Sequence, residues 1–213
     1  MIVNSETVKS IILDISKDIE DHKEYLTELD AAIGDGDHGS NLSKGFRKVS
    51  EKLSKSEFKN IGDVLKATAM DLISTVGGAS GPLYGSFFLK AGAAMKDKQE
   101  MNFEDLCNMF DAATEGVKSR GKSDINEKTM LDVLIPVSKS FRDSLSKNLD
   151  IVESLKLAVD IAHERCEFTK TIIATKGRAS YLGERSIGHI DPGAMSSTYM
   201  IETLYSFFSG DKK

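Results

Sequence analysis

Val8-Lys9-Ser10-Ile11-Ile12-Leu13-Asp14-Ile15-Ser16-Lys17-Asp18-Ile19 places valine and isoleucine at i, i+3, i+4, i+7 and i+11. That spacing gathers one apolar stripe on a 3.6-residue helix and leaves lysine and aspartate on the other side. Asn4 and Ser5, just ahead, are N-cap side chains. An amphipathic helix follows, and its stripe must be buried against something. The same rule holds for Leu42, Phe46, Val49 and Leu53, and after the polar turn Lys55 to Asn60 for Ile61, Leu65, Ala69, Leu72 and Val76. Further stripes are Leu83, Phe87, Ala91 and Ala94; Leu106, Met109, Phe110, Ala113 and Val117; and Met130, Leu134, Val137, Phe141 and Leu145. Two more are Ile151, Leu155, Ala158 and Ala162, and finally Met200, Leu204, Phe207 and Phe208.

The β-branched run Thr171 to Thr175 follows a helical pattern without a turn residue, so it reads as the end of that helix. About eight helices with single apolar faces predict an all-α closed barrel or bundle with little or no sheet. Gly-rich segments at 34 to 39, 77 to 81, 116 to 121 and 177 to 193 are expected to separate the helices. With 213 residues, 40% of them hydrophobic and 29% charged, the chain can bury one sizeable core, and residues 1–213 read as a single domain.

A net charge of -5 disfavours nucleic acid as a partner, so an anionic ligand needs a local device. Cys107 and Cys166 sit among apolar neighbours without a CxxC pattern and read as reduced core thiols. Met1-Ile2-Val3-Asn4 runs into charged residues, unlike a signal peptide, and no apolar run approaches a bilayer span. A cytoplasmic protein with no membrane partner is expected.

The run Leu29-Asp30-Ala31-Ala32-Ile33-Gly34-Asp35-Gly36-Asp37-His38-Gly39 holds three carboxylates in a short, pliable stretch. Such a cluster is tolerated when well solvated or when a cation sits between the charges. Hard oxygen donors favour magnesium, manganese or calcium. The EF-hand template fails, because counting from Asp35 its sixth position is Ser40 and its twelfth is Phe46. Two readings stay open here: a magnesium site at Asp30, Asp35 and Asp37, and a solvated acidic turn capping a helix that begins near Ser40. His38 is a metal neighbour, a phosphate contact or a turn residue. His22, His163 and His189 read as exposed or structural.

Two segments look like anion sites at helix starts, where free N–H groups and the helix dipole favour phosphate. One is Gly77-Gly78-Ala79-Ser80-Gly81-Pro82, ahead of the Leu83 stripe. The other is Asp191-Pro192-Gly193, a good N-cap and first turn in its own right. Lys176, Arg178 and Arg185 lie in the Gly-rich stretch before it, and Arg178 is the candidate phosphate clamp. Gly116-Val117-Lys118-Ser119-Arg120-Gly121-Lys122-Ser123 matches the Walker A string letter for letter. It follows a helix rather than a buried strand and precedes a polar segment, so a P-loop with Lys122 is rejected.

Taken together, Leu29 to Asn41, Gly77 to Gly81, Gly121 with Met130, and Thr175 to Gly193 closely resemble the nucleotide-binding L subunit of bacterial dihydroxyacetone kinase. The resemblance runs in order over nearly the whole chain. It implies a closed barrel of eight antiparallel helices with the nucleotide at one end. By motif position, Asp30, Asp35 and Asp37 would hold two magnesium ions bridging the phosphates of ADP or ATP. His38, Gly39, Ser40 and Asn41 would lie along the nucleotide, with Ala79, Ser80, Gly121, Met130, Arg178, Asp191, Pro192 and Gly193 completing the pocket. Arg178 would also assist catalysis.

The resemblance further implies that a separate K subunit holds dihydroxyacetone, so that this chain is half of an active site. An M subunit of the phosphotransferase system would recharge bound ADP in place. An ATP-exchanging glycerone kinase subunit and a nucleotide-state-dependent regulatory module are the alternatives, and pairing into a homodimer is left open. A chain ending at Lys213 is expected to differ from fused eukaryotic-type kinases and from the fatty acid kinase with its long second half.

Overall fold

A computed structural model describes residues 3–210. Met1 and Ile2 of the N-terminal reading, and Lys213 of the reading of the chain's end, lie outside the described residues. The elements are β1 (Val3–Asn4), α1 (Ser5–Asp21), α2 (Lys23–Ile33), α3 (His38–Leu53), α4 (Ile61–Thr75), α5 (Ser80–Ala94) and β2 (Glu100–Met101). They continue with α6 (Phe103–Gly121), α7 (Leu131–Ser146), α8 (Ile151–Phe168) and α9 (Pro192–Ser209). β1 and β2 form one short antiparallel pair, Val3 opposite Met101. Two 3-10 segments, Thr169–Thr171 and Arg178–Ser186, lie in the connection between α8 and α9.

Eight helices close a ring. α1 packs on α3, each helix from α3 to α8 packs on the next, and α9 packs back on α1. The stripes predicted a closed barrel or bundle, and the ring is the antiparallel barrel that the resemblance implied. Val8, Ile11, Ile12, Ile15 and Ile19 are all buried in it, and each such side chain contributes about 1.5–3 kcal/mol relative to an exposed one. Asn and Asp side chains start the helices: Asn4 accepts from the Thr7 N–H, Asn60 from that of Asp63, and Asn102 and Asp150 form reciprocal capping boxes with Asp105 and Glu153. No helix among the described residues is long and apolar enough to cross a membrane.

α2 stands outside the ring against α3 and α9, and no stripe announced it. Its buried residues are Leu26, Asp30 and Ile33. One of the three inward positions is a carboxylate, so the apolar period is broken there. α5 turns a different face inward from the one expected: Tyr84, Phe88 and Ala91 are buried with Gly85 and Gly92, while Ala94 is exposed. Apolar residues occur all round this helix, so periodicity cannot choose a face. The glycines do, because a Cβ on Gly92 would come within 3.0 Å of the Gly62 carbonyl oxygen of α4.

Three further expectations need correction. The Gly116 to Gly121 segment does not separate helices but ends α6, with Gly116 packed against the Ser86 carbonyl and Lys90 of α5. Thr171 to Thr175 does not continue α8, which stops at Phe168. The Lys128 ammonium takes the carbonyls of Thr169 and Ile172, and this draws the backbone out of helix. The stripe Met200, Leu204, Phe207 and Phe208 is only half-buried, because α9 faces the interior with Ala194, Ser196, Ser197, Thr198 and Ile201. The Ser196 and Thr198 hydroxyls donate to backbone carbonyls one turn back, which makes them tolerable inside.

Candidate functional site

Asp30 sits in the last turn of α2, and only 9% of it is exposed. Its Oδ2 accepts from the backbone N–H groups of Asp37 (2.8 Å) and His38 (3.1 Å), so the end of α2 holds the start of α3. Two glycines permit this fold-back. A Cβ on Gly34 would come within 2.1 Å of Asp30 Oδ1, and one on Gly39 within 2.0 Å of the Lys23 carbonyl oxygen. Asp37 occupies the N-cap position of α3 yet makes no side-chain cap bond. The carboxylates of Asp30, Asp35 and Asp37 each bring one oxygen within 4.8 Å of the others. Asp30 thus takes a capping role at the start of α3, and Asp37 takes none. An all-oxygen set at this spacing, with one cap role taken by Asp30 and none by Asp37, fits a hard divalent cation.

Facing this cluster, the starts of α3, α5 and α9 converge on one cavity of about 540 Å³. His38 ties the three together, with Nδ1 3.0 Å from Ser80 Oγ on α5 and Nε2 2.9 Å from Ser196 Oγ on α9. The Ser196 hydroxyl donates to the Pro192 carbonyl at 3.0 Å and accepts from the Tyr84 hydroxyl at 2.7 Å. Its remaining lone pair takes the His38 Nε2–H, which leaves Nδ1 to accept from Ser80; this tautomer is assigned from the network. Burial pushes the His38 pKa down to about 4, against the pull of Asp30, so the ring is a neutral strut. α5 has Ala79 at its N-cap position without a side-chain cap bond, and Gly78, Ala79 and Ser80 line the cavity.

Asp191 caps α9 by accepting from the Ala194 N–H at 2.7 Å. Burial pushes its carboxyl up to about 7, with Asp132 and Asp30 adding to the rise and the Ala194 bond and Lys128 opposing it. Arg178 Nη1 lies 2.9 Å from Asp35 Oδ2, with 65% of the side chain exposed. Lys176 pairs loosely with Glu127 at 3.7 Å. Leu83, Val117 and Met130 add apolar lining to the cavity, together with Arg120, Gly121 and Ser123.

Of the residues singled out in the sequence, Asp30, Asp35, Asp37, His38, Ala79, Ser80, Gly121, Met130, Arg178, Asp191, Pro192 and Gly193 line this cavity. Gly39, Ser40 and Asn41 do not. Gly39 is jammed against α2, Ser40 donates to the Asp37 carbonyl at 3.0 Å, and Asn41 lies against Gly77. Arg120, Ser123, Lys128 and Thr129 line it without having been foreseen. Ser123 belongs to the rejected Walker A string, whose Lys122 is exposed and sits in left-handed geometry at the C-terminal, electronegative end of α6. Phosphates do not gather at that end of a helix.

His22 stacks on Tyr199, His163 lies 2.7 Å from Glu202, and His189 is exposed. Cys107 and Cys166 are free and buried, and burial pushes their thiols up to about 11 and about 12.

Fold and site together define a helical barrel with converging helix starts and a carboxylate cluster at one cavity. Within that class the chain belongs to the DAK2 domain family, whose model matches residues 32–206. It is 51% identical, over 85% of its length and 86% of the relative's, to the ADP-binding subunit of the PEP-dependent dihydroxyacetone kinase of Escherichia coli. It is 44% identical to the ADP-binding subunit of the PTS-dependent dihydroxyacetone kinase of Lactococcus lactis, over 87% of this chain and 88% of that one. A crystal structure of the dihydroxyacetone kinase from C. freundii in complex with AMP-PNP and Mg2+ superposes with a TM-score of 0.71 at 25% identity. That match covers 97% of this chain and 34% of the longer enzyme.

Proposed function

We propose that residues 1–213 form one nucleotide-binding unit, the ADP-binding, magnesium-dependent phosphoryl-transfer subunit of a dihydroxyacetone kinase. The observation that carries this reading is the convergence of three helix starts on a cavity edged by Asp30, Asp35 and Asp37. Helix starts favour phosphate oxygens, and the carboxylates favour the cations that accompany them. Magnesium bound there would offset the charge that develops on a transferring phosphoryl group.

The chain's own residues do the positioning. Asp30, Asp35 and Asp37 hold the cations, the first fixed by its two backbone donors. Ala79, Ser80 and Asp191 to Gly193 present helix starts to the phosphates, and His38, Gly39, Ser40 and Asn41 shape the turn beneath them. Gly121 and Met130 add to the cavity lining, whose apolar side chains suit a base. Arg178 brings positive charge beside Asp35, at the edge where the transferred group is exchanged.

The acceptor, dihydroxyacetone, is held by a separate K subunit, and an M subunit of the phosphotransferase system recharges the ADP. The names of the E. coli and L. lactis relatives, ADP-binding subunits of PEP- and PTS-dependent kinases, favour this mode over exchange of free ATP. The test mixes the chain with a K subunit, dihydroxyacetone and a phosphotransferase-system donor. Wild type is expected to transfer, and Asp35→Ala combined with Asp37→Ala to lose at least about a hundredfold in rate, as expected when charge stabilisation is removed. Transfer that survives the double substitution overturns the proposal.

A further inference from the structure

Lys128 is among the most deeply buried side chains of the molecule, 1% exposed, in a loop between α6 and α7. Its ammonium donates to carbonyl oxygens rather than closing on a carboxylate: those of Thr169, of His189 at 2.5 Å and of Ile172 at 3.5 Å. These acceptors bracket a strap. Thr169 and Ile172 stand where the chain leaves α8, and His189 stands where it returns to Asp191 and α9. Between them lies residue 178, the arginine that meets Asp35. Other ties join the two ends, the Gly188 N–H to the Lys170 carbonyl and the Asp191 N–H to Thr169 Oγ1. Lys128 anchors both ends to a third element, and the adjacent Glu127 carbonyl takes the Thr175 N–H of the strap at 3.2 Å.

The anchor itself is built with care. The buried carboxylate of Asp132, at the start of α7, accepts from the N–H groups of Asn126 (2.6 Å) and Thr129 (2.8 Å) on either side of Lys128. Arg165 of α8 reaches Asp132 at 3.5 Å and Asn126 Oδ1 at 2.9 Å. Lys128 and Asn126 both have positive φ, 60° and 67°, which side chains rarely adopt. A backbone held in that conformation, with a lysine rather than a glycine at its centre, serves the side chain.

We infer that Lys128 is a positioning residue, a clasp that fixes the strap from 172 to 189 and so sets Arg178 and the Asp191 helix start against the nucleotide. The inference rests on the nucleotide reading for its second consequence only. The first, strap order, can be read without any ligand.

Lys128→Gly suits the left-handed backbone and removes only the side chain. Hydrogen exchange in the nucleotide-free protein should quicken over 172–189 and stay unchanged over α3 to α6. Added n-butylammonium should slow it again, and n-butanol should not. In the loaded protein ADP should leave about tenfold faster, the lower end of what losing a supporting partner does at metal sites. In an Arg178→Ala background the same substitution should add less than it does alone, the part carried by the Asp191 helix start remaining.

Unchanged strap exchange, a uniform rise across the barrel, rescue by n-butanol as well, or additive effects with Arg178→Ala would each overturn the clasp. If wild type retains no ADP, the nucleotide reading fails and the exchange measurement still decides the clasp. Lys128→Met, which keeps the bulk but not the charge, is read the same way if the glycine variant does not fold.

Discussion

Asp191 shows how one carboxylate can serve a helix start at some expense to stability. Its folded pKa of about 7 lies above the ordinary 3.8, so the folded state holds its proton more tightly than the unfolded chain does. The stability it gives is complete below pH 4 and is lost as pH rises through 7. Asp191→Asn keeps an N-cap acceptor without the charge. Urea unfolding of the nucleotide-free proteins should therefore show wild type losing about 2 kcal/mol relative to the variant between pH 4 and pH 8, once residual solvent contact is allowed for. A constant difference across that range would contradict the burial argument. At this scale the carboxylate cluster was legible, because three aspartates among glycines in one short run stand out by charge alone. The division of labour within it was not. That Asp30 is helical and spent partly on two N–H groups, while Asp37 leaves its cap position unused, follows from a fold-back that no local pattern encodes. Lys128 was equally silent, since its acceptors lie 41 and 61 positions away in the chain.

Elements whose apolar period was clean were readable, and those that failed did so for two physical reasons. α2 has a carboxylate on its inward face, and α9 carries hydroxyls there, so the buried positions do not look buried. α5 is apolar nearly all round, and its face is chosen by glycine contacts with α4 rather than by large side chains. This last point has a sharp test. Gly62 lies in the first turn of α4, where helix propensity favours alanine by less than the roughly 1 kcal/mol of a helix interior. A Cβ there would stand 2.8 Å from the carbonyl oxygens of both Gly92 and Met95. Gly62→Ala should therefore destabilise the protein by about 1–3 kcal/mol in denaturant unfolding, as overpacking does. A gain in stability would mean that α4 and α5 do not approach as closely as described.

On the scale of the whole molecule, ring closure is what makes a site. α9 returns to α1, and the starts of α3, α5 and α9 thereby meet at one end, held by the neutral His38 strut. A closed barrel or bundle could be foreseen from the stripes, but which ends would meet could not, because that depends on the order in which helices pack. A ligand bound across three helix starts and the α2 end must stabilise the assembly by linkage. ADP with magnesium at a hundred times its dissociation constant should add about 2.7 kcal/mol, seen as a raised Tm that a chelator abolishes. An unchanged Tm would mean that the folded protein does not bind the nucleotide. The most direct measurement is calorimetric titration of ADP into nucleotide-free protein, with and without magnesium, for wild type and for Asp35→Ala combined with Asp37→Ala. Magnesium-dependent binding in wild type, lost in a variant that still melts cooperatively, is the predicted result. Equal affinity in both proteins, or binding indifferent to magnesium, would contradict the assignment of Asp30, Asp35 and Asp37 to the metal.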